Sequence, residues 1–174
     1  MRGPKEFLTI LYKHILSVRM IDKKNLEIVV NEWLEKTDYF LVDLSVSSDD
    51  RIVVVIDHAE GVWIEDCVAL SRFIEERFDR EEQDYELEVG SAGLGQPFMV
   101  HRQWEIHIGD PVETQMKDGH KYMGELTAVD ETGFNMLVEM KVKAEGAKRA
   151  KKEMVDVRCA FADVAYTKYL IKVK

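Results

Sequence analysis

Cysteine is scarce. Cys67 and Cys159 are the two in 174 residues, and each sits inside an apolar pattern. A disulfide framework is excluded, and a reducing compartment is expected. Long apolar runs are absent too: none approaches the roughly 20 residues that a membrane-spanning helix needs. Residues 1–19 come nearest to a targeting segment, with Phe7, Leu8, Ile10, Leu11, Ile15, Leu16 and Val18 among four basic residues. Lys13 and His14 interrupt that run, and no small-residue cleavage site follows. We read 1–19 as an upstream extension, such as a misplaced start codon produces. An amphipathic helix packed on the body is the alternative. Positive charge is in deficit, with a formal net charge of −9, which argues against a general nucleic-acid binder. No internal repeat or low-complexity segment occurs.

The usual signs of chemistry are missing as well. His14, His58, His101, His107 and His120 do not stand at metal-ligand spacing with one another or with cysteine, and His101 and His107 are six apart rather than four. Both cysteines read as buried structural thiols with no base beside them. Gly93-Leu94-Gly95 fits neither phosphate-binding pattern, because Gln96 and Pro97 follow it where a P-loop needs Lys and Ser or Thr. Its glycines suit a flexible joint that accepts positive φ. Asp57 and His58 end an apolar strand, a place where α/β sites often lie. A lone carboxylate reads more simply as the cap of a turn. Glu81, Glu82, Asp84, Glu86 and Glu88 read as a solvated face. The expectation is a binding protein that is not an enzyme and uses no cofactor or metal. A hydrolase built on Asp57 is the weakest reading.

What is present is organised in two parts. Residues 20–97 carry 7 basic and 20 acidic side chains, whereas residues 98–174 carry 13 and 12. Such a split suggests two units with different surfaces. In the first, Leu26, Val29, Val30, Trp33 and Leu34 recur at helical spacing over 21–36. Phe40, Val42, Leu44 and Val46 alternate as a strand with one buried face. Ser48-Asp49-Asp50 signals a turn, and the β-branched run 52–56 predicts a central strand covered on both faces. Cys67, Leu70, Ile74 and Phe78 return to helical spacing, and Tyr85, Leu87 and Val89 alternate again. The order is α-β-β-α-β, ending in a parallel βαβ unit with helices packed on a small sheet.

From Gly90 the character changes, since eight of the ten glycines lie there or beyond. A short helix is expected near 102–108. Strand patterns follow, with Asp118-Gly119 as a hairpin signal and Asp130-Glu131-Thr132-Gly133 as a second turn. Phe134, Met136, Val138 and Met140 alternate, and a strand over 166–173 closes the chain. Five short strands with tight turns predict a small, strongly bent β-barrel. Between two of them, 141–152 reads as a polar loop. Lys141, Lys143, Lys148, Arg149, Lys151 and Lys152 fall within its twelve residues, opposed by Glu145 alone. In an acidic protein this is a concentrated positive site able to meet phosphate backbone, although it equally suits a loop kept charged for solubility. No aromatic interleaves it, so base stacking is not indicated.

At the junction, Ser91-Ala92-Gly93-Leu94-Gly95-Gln96-Pro97-Phe98 resembles the Ser-Pro-Gly-Leu-Asp-Arg-Pro-Leu motif of the bacterial ribosome maturation factor RimP family. The likeness extends through Phe40-Leu41-Val42-Asp43, Ile56-Asp57, Ile64-Glu65-Asp66-Cys67, Leu70-Ser71-Arg72, Tyr85-Glu86-Leu87-Glu88-Val89, Gly124-Glu125-Leu126 and Tyr166-Thr167-Lys168-Tyr169-Leu170. It covers about residues 20–174. The resemblance implies an α/β domain over 20–90, a junction motif over 91–98 (Ser91, Gly93, Leu94 and Pro97 being its matching positions) and an Sm-like β-barrel over 99–174. It implies a cytoplasmic, non-catalytic factor that binds the immature small (30S) ribosomal subunit, touching ribosomal RNA and a ribosomal protein, with no membrane. A monomer is expected. Three positions depart from the motif: Ala92, Gly95 and Gln96 replace its proline, aspartate and arginine, and the basic run is a candidate source of the lost charge. The alternative is an acidic adaptor that docks a basic protein on the barrel without touching RNA.

Overall fold

The computed structural model describes residues 21–171, apart from 82 and 143–150. The extension expected at 1–19, His14, Glu82, and Lys143, Lys148 and Arg149 of the basic run lie outside the described residues. The chain divides into two compact units between Ser91 and Ala92.

In the first unit, Asp22 caps helix α1 (Lys23–Leu34), its Oδ1 accepting the Asn25 N–H at 2.8 Å. Leu26, Val29, Val30 and Leu34 form the buried stripe of this helix. Strand β1 (Phe40–Val46) buries Phe40, Val42 and Leu44 by simple alternation. The turn to β2 (Arg51–Asp57) passes through Asp50 at φ 57, a left-handed conformation that Asp tolerates better than most residues. β2 is the middle strand, antiparallel to β1 and parallel to β3 (Glu86–Ser91). Helix α2 (Ile64–Glu75) connects the parallel pair and buries Leu70 and Ile74. The α-β-β-α-β order and the three-stranded sheet are those that the periodicity predicts.

Two details of this unit differ from expectation. Ile52, Val54 and Ile56 have no exposure, but Val53 and Val55 are only half-buried. Both helices pack on one face, so β2 is sealed on that side alone. Cys67 is half-buried rather than buried, because Leu70 and Ile74 centre the stripe and Cys67 lies at its margin.

The second unit opens with α3 (His101–Ile106). Then come β4 (Pro111–Met116), β5 (Lys121–Asp130), β6 (Gly133–Val142), β7 (Lys151–Ala160), a 3-10 turn at Phe161–Asp163, and β8 (Val164–Tyr169). The helix stops two residues before the expected end, since His107 leaves helical geometry and Gly109 follows at φ 90. All pairings are antiparallel, in the order β7-β6-β5-β4-β8. Gly119, at φ 94, turns the β4–β5 hairpin. Trp104, Val112, Leu126, Phe134, Met136 and Cys159 fill the core. Gly133 lets β6 and β7 approach closely, as a Cβ there would press into the Cys159 carbonyl oxygen.

The expected barrel of five short strands is corrected on both counts. β5, β6 and β7 have ten residues each, and the sheet is open, with β7 and β8 at its two ends. β8 is short and its outer edge is already occupied. Pro97 bridges to Lys168, and the Phe98 N–H donates to the Thr167 carbonyl at 2.7 Å. Proline has no N–H with which to extend that ladder, so the edge is covered without recruiting another strand. The polar loop expected over 141–152 is corrected at its two ends. Lys141 and Val142 belong to β6 and pair with Lys152 and Lys151 of β7. Residues 139–142 and 151–154 are all exposed; backbone hydrogen bonds rather than burial hold them as strands. Among the described residues no helix is long and apolar enough to cross a membrane.

Candidate functional site

The junction is built from three short pieces. Ser91 ends β3, paired with Ile56. The Gly93 carbonyl then accepts the Gln96 N–H at 3.0 Å, closing a four-residue turn in which Gly95 has φ 77. That is the third position of the turn, where positive φ favours glycine. Leu94 stands at the tip, 73% exposed. Beyond the turn, Pro97 and Phe98 are tied to β8, and the Phe98 ring stacks on His107 at 4.9 Å, which stacks in turn near Tyr169 at 5.0 Å. From Pro97 onward the segment is anchored to the sheet of the second unit.

The described part of the basic run stands on exposed strand ends. Lys152 pairs with Glu139, whereas Lys141 and Lys151 have no acidic partner among the described residues. Lys141 and Lys152 face the same side, opposite the core, and Lys151 faces the other. Cross-strand pairs carry that outer face across the sheet: Leu137 with Glu125, Met123 with Glu113, Lys121 with Gln115, then Lys168 with Glu113 and Tyr166 with Gln115. Lys121, Lys141, Lys152, Lys168 and Tyr166 thus share one face. Lys121, Tyr166 and Lys168 escape a sequence search because no local cluster marks them. Their signal is alternation with the core positions Val112, Thr114 and Thr167.

Glu113 organises one end of this face. It is 6% exposed and accepts hydrogen bonds from Lys121 Nζ at 3.1 Å and Tyr166 Oη at 2.9 Å, with Lys168 Nζ at 3.4 Å. The Lys121 hydrogen bond, then the Tyr166 hydroxyl and the two ammonium charges, hold its carboxyl below the usual range against the opposing effect of burial. Two lysines around one carboxylate leave a net positive charge. Beneath it, on the core side, the Thr114 and Thr167 hydroxyls meet at 3.0 Å.

No catalytic constellation emerges from the remaining candidates. Asp57 Oδ1 accepts the His58 N–H at 2.9 Å and so caps the turn after β2. His58 Nδ1 accepts the Glu60 N–H at 3.1 Å, and its ring lies 4.9 Å from that of Tyr39. Burial, and then donation to Asp66, push the Tyr39 phenol up to about 12. His101 meets the Asp130 carbonyl, His107 meets Asp110 and His120 meets Asp118, each at 3.0 Å. Burial raises the pKa of both cysteine thiols, the opposite of what a nucleophile needs. Glu86 and Glu88 pair with Arg51, while Glu81 and Asp84 are exposed. Among the described residues no group of three or more His, Cys, Asp or Glu could hold a metal ion.

Comparison with known proteins agrees with the family resemblance. The family model described as the RimP N-terminal domain matches residues 29–95. A protein of Porphyromonas gingivalis named ribosome maturation factor RimP is 41% identical over 145 residues, covering 83% of this chain and 95% of that protein. Proteins of the same name from Christiangramia forsetii and Cytophaga hutchinsonii are 32% and 34% identical. They cover 78% and 79% of this chain, and 90% and 87% of their own lengths.

Proposed function

The chain belongs to the RimP family, and from that premise we propose that it is a ribosome maturation factor, non-catalytic, which binds the immature small ribosomal subunit in the cytoplasm and assists its assembly. The observation that carries the binding mode is the solvated end of the β6–β7 hairpin, where Lys141, Lys151 and Lys152 stand on exposed backbone in an otherwise acidic protein. Phosphate contacts by such lysines release counterions and position a protein on RNA without reading its sequence. Lys143, Lys148 and Arg149 add charge to the same run. The outer face with Lys121, Lys168 and Tyr166 continues it. We take the second unit as an Sm-like sheet left open, and 91–98 as the junction between two modules. Gln96 stands where the family motif has arginine, so the hairpin supplies charge that the junction lacks. The strongly acidic first unit suits a basic ribosomal protein, for which complementary charge speeds encounter. The protein acts as a monomer.

Gradient fractionation of a lysate tests the proposal. The protein is expected with free small subunits and not with mature ribosomes. Its absence from every ribosomal fraction refutes the assignment and leaves the adaptor reading.

A further inference from the structure

Helix α2 begins on an unusual residue. Trp63 occupies the N-cap and makes no side-chain cap hydrogen bond, although Ser, Thr, Asp or Asn is favoured there because its oxygen satisfies a first-turn N–H. The indole is not there for packing, since Trp63 is 66% exposed. Ile64, the next residue, is 74% exposed, and Val68, one turn on, is 43% exposed. Ile64 and Val68 are i,i+4 neighbours on the helix surface. Neither belongs to the buried stripe, which is Leu70 and Ile74. Three large apolar side chains thus stand in water within six residues at the start of this helix, one of them in place of a capping residue. A local rule broken without gain in packing points to a role outside the fold, and tryptophan is among the residue types enriched at binding hot spots.

Charge identifies the occupant. Glu60 and Glu65 flank the patch and are exposed, whereas the Asp66 carboxylate is taken by Tyr39. Arg72 is the one basic residue of the helix. The surrounding segment 20–97 has 20 acidic and 7 basic side chains. RNA is repelled by such a field, and a second copy would bring like charges together.

We propose that Trp63, Ile64 and Val68 form a docking surface for a lysine- and arginine-rich protein segment that presents a large apolar side chain. Resting on the function proposed above, the partner is a basic protein of the small subunit. The apolar residues seat its anchor, and Glu60 and Glu65 meet its charges at the rim.

The test uses the full chain and two variants, Trp63→Ser and Ile64→Ser. Serine at position 63 restores a cap, so the thermal midpoint stays the same or rises and misfolding is not an explanation for weakened binding. The probes are the basic small-subunit proteins, each purified, and protein-free small-subunit RNA. At least one protein is expected to bind, with affinity falling as salt rises. Both variants weaken that binding at least about ten-fold and leave RNA binding unchanged, as truncation of a hot spot should. The proposal is overturned if no basic protein binds, or if either variant binds as the parent does. It is also overturned if the substitutions weaken only RNA binding or only self-association in sedimentation. Gradient behaviour separates this from the wider reading. Absence of the parent chain from small-subunit precursors defeats the assembly assignment, whereas normal co-migration with undiminished protein binding by the variants defeats the docking surface alone.

Discussion

Replacing Glu113 with glutamine removes one negative charge from between two lysines and changes little else in shape. An exposed ion pair contributes about 0–1 kcal/mol, whereas breaking a fully buried one costs about 3–5 kcal/mol. Glu113 lies between these limits. Its carboxylate is buried, but the side chains of Lys121 and Lys168 are 42% and 32% exposed and rehydrate when left alone. Glutamine also keeps an acceptor for Tyr166. The expected cost at pH 7 is therefore about 1–2 kcal/mol. A folding unit of this size loses about 4–8 °C per kcal/mol, so the midpoint of the second unit falls by about 4–16 °C. The carboxyl titrates lower in the folded state than its unfolded value of about 4.3. Its contribution is complete above the unfolded value and is lost as pH falls through the folded one. Melting curves recorded from pH 8 into acid should show parent and variant converging in acid. A gap that stays constant down to acid pH, or no gap at neutral pH, contradicts this account of Glu113.

Three further outcomes follow from particular contacts. Lys141→Glu with Lys151→Glu should weaken binding to small-subunit RNA and flatten the plot of log K against log salt by about 0.9 for each duplex phosphate no longer neutralised; an unchanged slope removes the hairpin from the interface. Thr167→Val strands the buried Thr114 hydroxyl at a cost of about 1–3 kcal/mol, and adding Thr114→Val should recover most of it. Denaturant titrations in which the two effects simply add would contradict that pairing. Gly133→Ala forces a Cβ into the Cys159 carbonyl oxygen and should destabilise the second unit by about 1–3 kcal/mol, read in the same titrations.

Much of the first unit is legible in the sequence because its signals are local. The stripe of Leu26, Val29, Val30 and Leu34, the alternation of Phe40, Val42 and Leu44, and the β-branched run 52–56 each report one element through its own period. Asp118-Gly119 likewise marks a hairpin by backbone preference alone. The solvated ends of β6 and β7 are not legible. Lys141, Val142, Lys151 and Lys152 are held by backbone pairing, and their side chains carry no burial pattern. Sheet closure misleads for a related reason: strand count and turn chemistry do not reveal that Pro97 and Phe98 occupy the edge of β8.

Residues near one another in the chain settle the order of elements, the turns, the acidic character of the first half and the family motif at the junction, and these can be read without coordinates. Three outcomes needed the folded chain: that the sheet stays open, that Lys141, Lys151 and Lys152 stand on strands, and that Glu113 gathers Lys121, Tyr166 and Lys168. Each depends on register between segments far apart in the chain, where a shift of one residue sends every side chain to the opposite face. The junction at residues 91–98 draws on both: its residues mark the family, and its ladder contacts with β8 explain why the last of them are held in place.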